Sequence, residues 1–265
     1  MSCPDCTTGV KLPGTPKGVI KDDSSYFAAA PEGSESKRAV VILTDAFGLD
    51  LDNPKIMADY FAEQLQCDVW VPDIFNGKPF VREDQLQMPE RAGDKIGALK
   101  WMKFGFLMLT GLPRFIASRP SVADKRIKAF INKIKAEKQY DNVGAVGYCF
   151  GGAACVRLAV TDTVDTVVIC HPGQFSLKLV GQMAIPSAWL CAEDDFTFPT
   201  KKRKQAEEIL AKRAKDEKTA IAYEFHDYKG TCHGFAARPN TQLPEIKEAF
   251  EKSLTETVAW FKKHI

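Results

Sequence analysis

The sequence predicts an α/β protein: a mostly parallel central sheet with helices on both faces. Three observations carry this reading. Apolar runs of strand length alternate with longer segments of helical character. The first clear run, residues 39–44, is apolar throughout rather than at alternate positions, as expected of a strand covered on both faces. A glycine-rich turn, Gly147-Tyr148-Cys149-Phe150-Gly151-Gly152, joins another such run directly to a helix.

In chain order, residues 1–38 are rich in Gly, Pro, Ser and charge and read as an irregular arm over the surface, with a short strand near Val19 and Tyr26. Residues 39–265 read as one domain, a size that α/β architectures reach without splitting. After the strand at 39–44 a helix is expected over 54–66, with proline at its start, and a strand over 67–72. Residues 75–119 form an insertion of helical character around Trp101, Phe104, Phe106 and Leu107. Lys100, Lys103 and Arg114 leave only about ten uncharged residues there, against the roughly twenty needed to cross a bilayer. Strands then follow at 143–147, 166–170, 187–192 and 220–226, and helices at 150–160, 200–216 and 243–263. In such sheets ligands gather at the carboxyl ends of the strands.

Composition narrows the function classes. Hydrophobic residues make up 45% and charged residues 26%, ordinary for a globular chain. A net charge of +2 argues against a dedicated nucleic-acid binder, and no membrane partner is expected. The start, MSCPDCTTGV, lacks a basic stretch followed by an apolar core, so a cytoplasmic location is the expectation. Of the eight cysteines, Cys67, Cys170 and Cys191 lie in apolar runs and read as buried thiols. Cys3 and Cys6 form a single C-x-x-C pair with no second pair nearby to complete a zinc site, and no metal or dissociable cofactor is expected.

The chemistry centres on Cys149. A turn sharp enough to present a nucleophile between strand and helix needs small neighbours, which Gly147, Gly151 and Gly152 supply. It also sets Cys149 at a helix amino end, where the dipole favours thiolate. His233, in the loop before the final helix, is the candidate base, better placed than His171, His226 or His264. An acid belongs between them, and Glu193-Asp194-Asp195 follows a strand; spacing alone does not choose between Asp194 and Asp195. The order nucleophile, acid, His is that of α/β-hydrolases.

Together, Thr44-Asp45-Ala46-Phe47-Gly48-Leu49, Gly147 to Gly152, Asp195 with Pro199 downstream, and His233-Gly234-Phe235 resemble the dienelactone hydrolase family, over about residues 20–262. The arm resembles that of fungal members. The resemblance implies an α/β-hydrolase fold and Asp195 as the acid. It also implies an oxyanion hole from the N–H groups of Ala46 and Phe150, and an activating role for Asp45 where bacterial members carry a Glu that holds the resting thiol. Phe47, Trp101, Phe104 and Arg238 are candidate pocket residues. The expected activity is opening of a small-molecule ester or lactone. Acyl transfer, cyclisation or carbon–carbon cleavage by the same residues is the alternative, and a redox-responsive protein that is not an enzyme is a further one.

Overall fold

The computed structural model describes residues 11–34, 37–81, 89–94 and 97–265. Eight strands form one sheet: β1 (Val19–Ile20), β2 (Tyr26–Ala28), β3 (Arg38–Leu43), β4 (Asp68–Val71), β5 (Asn142–Tyr148), β6 (Thr166–Cys170), β7 (Ser187–Asp194) and β8 (Tyr223–Cys232). Their spatial order is β1-β2-β4-β3-β5-β6-β7-β8. From β4 to β8 every neighbouring pair is parallel; β2 runs antiparallel to both β1 and β4. Seven helices are present among the described residues: α1 (Asn53–Leu65), α2 (Ala98–Ala117), α3 (Pro120–Lys138), α4 (Phe150–Leu158), α5 (Leu177–Val180), α6 (Thr200–Arg213) and α7 (Pro244–His264).

The two-residue period of a strand divides the core into two layers. On β3, Ala39, Val41 and Leu43 face one layer, where Ile127 and Ile131 of α3, Leu158 of α4 and Leu210 of α6 close over them. Val40 and Ile42 face the other, beneath Met57 and Phe61 of α1 and Val258 and Phe261 of α7. The sheet is thus covered on both sides, which explains why its strands read as unbroken apolar runs.

Three features depart from the sequence reading. The arm does not simply wrap the surface: Tyr26, Phe27 and Ala28 are buried and pair with β4, and the Tyr26 hydroxyl is tied to Asp59 and the Gly18 N–H. Helix α3 was not anticipated, although Ala123, Ile127, Ile131 and Ile134 make a helical stripe that is buried on the sheet. The last strand runs from Tyr223 to Cys232 rather than over 220–226. That shift matters for the site, because β7 and β8 then end together, with Asp194 opposite Cys232 across a local irregularity in the pairing.

Helix α7 packs where β5 has no side chain. A Cβ on Gly144 would lie 2.5 Å from Cε1 of Phe261, whose ring is fully buried. Gly144→Ala should therefore cost about 1–3 kcal/mol by overpacking. Adding Phe261→Leu should recover part of that loss, so urea denaturation of the two single mutants and the double mutant should show a coupling of about 0.5 kcal/mol or more. Strict additivity would mean that α7 does not bear on Gly144.

Candidate active site

The site lies one residue beyond the carboxyl ends of adjacent strands. Leu43 of β3 pairs with Gly147 of β5, and the chain after each strand enters the site: Thr44-Asp45-Ala46 from one, Cys149 from the other. At the β5–α4 turn the packing is so close that a Cβ on Gly147 would collide with the Gly151 carbonyl, and one on Gly151 with the Leu43 carbonyl. Cys149, the N-cap residue of α4, takes φ 50° and ψ −106°, a conformation that L-residues rarely adopt. Bonds on every side hold it there: its N–H donates to Cys170 O at 3.2 Å, and its carbonyl accepts from Gly173 N at 2.7 Å and Ala153 N at 3.0 Å. The thiol is thereby presented at the mouth of the sheet, at the positive end of a helix dipole.

Asp195 and His233 directly follow the paired ends of β7 and β8. His233 Nδ1 lies 3.0 Å from both carboxylate oxygens of Asp195. The Oδ1 atom also accepts from the N–H groups of Thr197 at 2.8 Å and Phe198 at 3.0 Å. Burial works against the Asp195 carboxylate, but the His233 charge and the hydrogen bonds from His233 and Thr197 outweigh it and hold the carboxyl well below the usual range. Burial likewise works against the His233 imidazolium, and here the charges of Cys149 and Asp195 prevail, raising its pKa. The second ring nitrogen, Nε2, is buried and makes no hydrogen bond of regular geometry; Cys149 is near enough to bias the ring electrostatically.

Of the neighbouring acids, only Asp195 turns its carboxylate to the imidazole. Asp194 is exposed; its carboxylate accepts from Gly93 N at 3.1 Å and its carbonyl from His233 N at 3.3 Å, so it braces the loop rather than the ring. Glu193 accepts from Gly230 N.

The N–H groups of Ala46 and Phe150 have no backbone acceptor among the described residues, whereas the N–H groups that follow them are engaged: Phe47 N donates to the side-chain Asp45 Oδ1 at 3.1 Å and Gly151 N to the backbone Thr44 O at 3.1 Å. Asp45 has different partners from those expected. Its Oδ2 accepts from Arg238 Nε at 2.7 Å, both side chains being largely buried, so its two oxygens are committed to Phe47 and Arg238 and not to the thiol. Arg238 in turn lies 4.4 Å over the Phe47 ring.

Cys149, His233, Asp45, Ala46, Phe150 and Arg238 line one cavity of about 480 Å³ that also includes Phe80, Leu112, Phe115 and Phe196. Of the expected pocket residues, Phe47 and Arg238 are on its wall. Trp101 and Phe104 fall on α2, but their side chains lie outside the described residues, as do Cys3 and Cys6. The other cation on the wall, Arg157, is held by Asp124 through two bonds of 2.7 and 2.9 Å. No group of His, Cys, Asp and Glu among the described residues could hold a metal ion.

Two contributors escaped the sequence reading. The Thr197 hydroxyl lies 2.8 Å from Asp195 Oδ1, 2.8 Å from Pro172 O and 3.1 Å from His233 Nδ1, bridging acid, base and the neighbouring loop. Its position two residues after the acid was a local signal that could have been read. His171, one residue past β6, is completely buried with its ring 5.0 Å from that of His233, and both its nitrogens lack hydrogen bonds. Burial, then the His233 charge, keep it neutral.

Residues 25–265 match the profile of the dienelactone hydrolase family. The chain is 28% identical over 263 residues to hydrolase tropI of Talaromyces stipitatus, covering 98% of this chain and 95% of that protein. It is 25% identical to a carboxymethylenebutenolidase homolog of Rattus norvegicus, covering 93% and 89% of the two chains. The fold is similar to that of the dienelactone hydrolase-like promiscuous phosphotriesterase P91 from metagenomic libraries, with TM-score 0.59 and 19% identity over 91% of this chain and 92% of the other. With the profile spanning nearly the whole sheet and all the strand ends described above, the protein belongs to the dienelactone hydrolase family and is a hydrolase.

Proposed function

We propose that the protein hydrolyses a compact, uncharged ester or lactone through a thioester on Cys149. The observation that carries this reading is the convergence of Cys149, His233 and Asp195 at three strand ends, beside two N–H groups without backbone acceptors and an apolar cavity. Cys149 Sγ attacks the carbonyl carbon while the carbonyl π electrons move to oxygen, which the N–H groups of Ala46 and Phe150 receive. The tetrahedral intermediate collapses, the C–O bond breaks, and the His233 imidazolium gives its proton to the leaving alkoxide. Neutral His233 then takes a proton from water as the water attacks the thioester, and release of the acid returns the thiolate–imidazolium pair. Asp195 holds the ring in the required tautomer.

The substrate class follows from charge. Among the described residues both cations on the cavity wall are spent internally, Arg238 on Asp45 and Arg157 on Asp124, and the rest of the described wall is dominated by apolar side chains. Such a cavity suits a neutral apolar ester better than an anionic one. Expected partners are therefore small molecules, with no cofactor step.

Hydrolysis of a panel of aryl esters and lactones, with product analysis, tests the reading. Cys149→Ala and His233→Ala should each reduce kcat by up to the order of 10⁶-fold, and the double mutant should lose little more, because groups acting as a unit are not additive. Transfer of the acyl group to an added alcohol in preference to water would reassign the chemistry to acyl transfer.

Asp195→Asn should lower kcat by about 10⁴-fold by favouring the wrong tautomer, while Asp194→Asn should leave kcat within about tenfold. The reverse ranking would move the acid to Asp194.

Asp45→Asn should release Arg238 into the cavity. The kcat/KM ratio of a carboxylate-bearing ester to its neutral isostere should then rise about tenfold, the worth of one charge-assisted hydrogen bond. An unchanged ratio would show that Arg238 does not face the substrate.

A further inference from the structure

Helix α2 has two sides with different surroundings. Toward the interior, Gly111, Leu112 and Phe115 line the catalytic cavity, and Phe115 packs on Phe80 with ring centroids 5.6 Å apart. Outward, Met102, Phe106, Leu109 and Ile116 are 67%, 69%, 70% and 52% exposed. Their spacing of four, three and seven places them on one stripe of the helix. Large apolar side chains aligned on one face of a surface helix mark an interaction site.

Charge and size decide what that face meets. Between Asp94 and Asp124 the chain carries Lys95, Lys100, Lys103, Arg114 and Arg119 and no acidic residue. A second copy docking along the same helix would bring two segments of like charge together. The stripe of a 20-residue helix is about 30 Å long and about 10 Å wide, a few hundred Å². That is well under the roughly 800 Å² per partner of a standard stable interface. An apolar stripe in a basic helix instead matches the requirements of a helix lying in the plane of an anionic bilayer surface. No described helix is long and apolar enough to cross a membrane, so the contact is with one face of the bilayer.

We propose that α2 docks the protein onto anionic lipid surfaces, with Met102, Phe106, Leu109 and Ile116 entering the headgroup–acyl boundary and the exposed Arg114 and Arg119 meeting lipid phosphates. This changes the expectation of no membrane partner, which rested on ordinary globular composition and on an uncharged run too short to span rather than on where the helix points its apolar face. Leu112 and Phe115 belong to the cavity and are themselves about half exposed, at 47% and 50%, so the cavity wall continues to the edge of the docking face. An apolar ester dissolved in the lipid layer would enter beside the helix. The docking itself does not depend on the reaction assigned to Cys149.

Co-flotation with phosphatidylcholine vesicles, with and without phosphatidylserine, tests the proposal. The full-length protein should float with the serine-containing vesicles, and raised salt should release much of it. Phe106→Ser combined with Leu109→Ser should reduce partitioning at least about tenfold, since both side chains lose their burial in lipid. Arg114→Glu should reduce it at least about fivefold. All three positions are exposed, and circular dichroism should show the fold unchanged. The proposal is overturned if the wild-type chain does not float with either vesicle. It is equally overturned if the variants float as well as the wild type. A concentration-dependent dimer in light scattering that the serine variant abolishes would give the face to a second copy instead.

Discussion

The close approach of α4 to β3 and β5 is the constraint on which the site depends. Gly151 lies against the Leu43 carbonyl and Gly147 against Gly151, so the helix can begin immediately after the strand only if Cys149 turns through a positive φ. The cost of that conformation is met by the surrounding sheet, through bonds to Cys170, Gly173 and Ala153. The same approach sets the Phe150 N–H beside Thr44-Asp45-Ala46, so that one packing event positions both the proposed nucleophile and the proposed oxyanion donors. The glycines are needed where backbone meets backbone, and no side chain could move aside to admit a Cβ.

A second set of interactions is electrostatic. Asp195 and His233 come from neighbouring strand ends, and the acid is saturated by Thr197, Phe198 and the ring, which fixes the imidazole before any substrate arrives. His171 supplies a buried neutral edge against the ring. The two cavity cations among the described residues are neutralised at source, and the charge of the proposed catalytic triad is therefore local to Cys149, His233 and Asp195. The outer face of α2 is the opposite case: the segment from 95 to 123 carries cations and no acid, and Met102, Phe106, Leu109 and Ile116 stand exposed among the described residues.

Much of this was legible in the sequence because it is local. The turn at Cys149 was readable from glycine spacing, the parallel sheet from unbroken apolar runs, and His233 from its place in the loop before the last helix. Asp195 could not be separated from Asp194 by spacing, since adjacent residues at a strand end point in different directions and the choice depends on how β7 meets β8. The Asp45–Arg238 pair joins residues 193 apart and leaves no local trace, whereas the thiol-holding role expected of Asp45 was what the family resemblance implied. Helix α3 was overlooked because its buried stripe is diluted by lysines, and β8 was placed early because its outer half carries polar residues at the strand's exposed positions.

The most direct test is to catch the intermediate. Rapid mixing with an activated aryl ester, acid quenching and peptide mass mapping should find the acyl group on Cys149 within the first turnover. The adduct should be cleaved by hydroxylamine, as a thioester is, and should be absent from Cys149→Ala. Turnover at full rate with no acyl group on Cys149, or with the acyl group on another residue, would contradict the account.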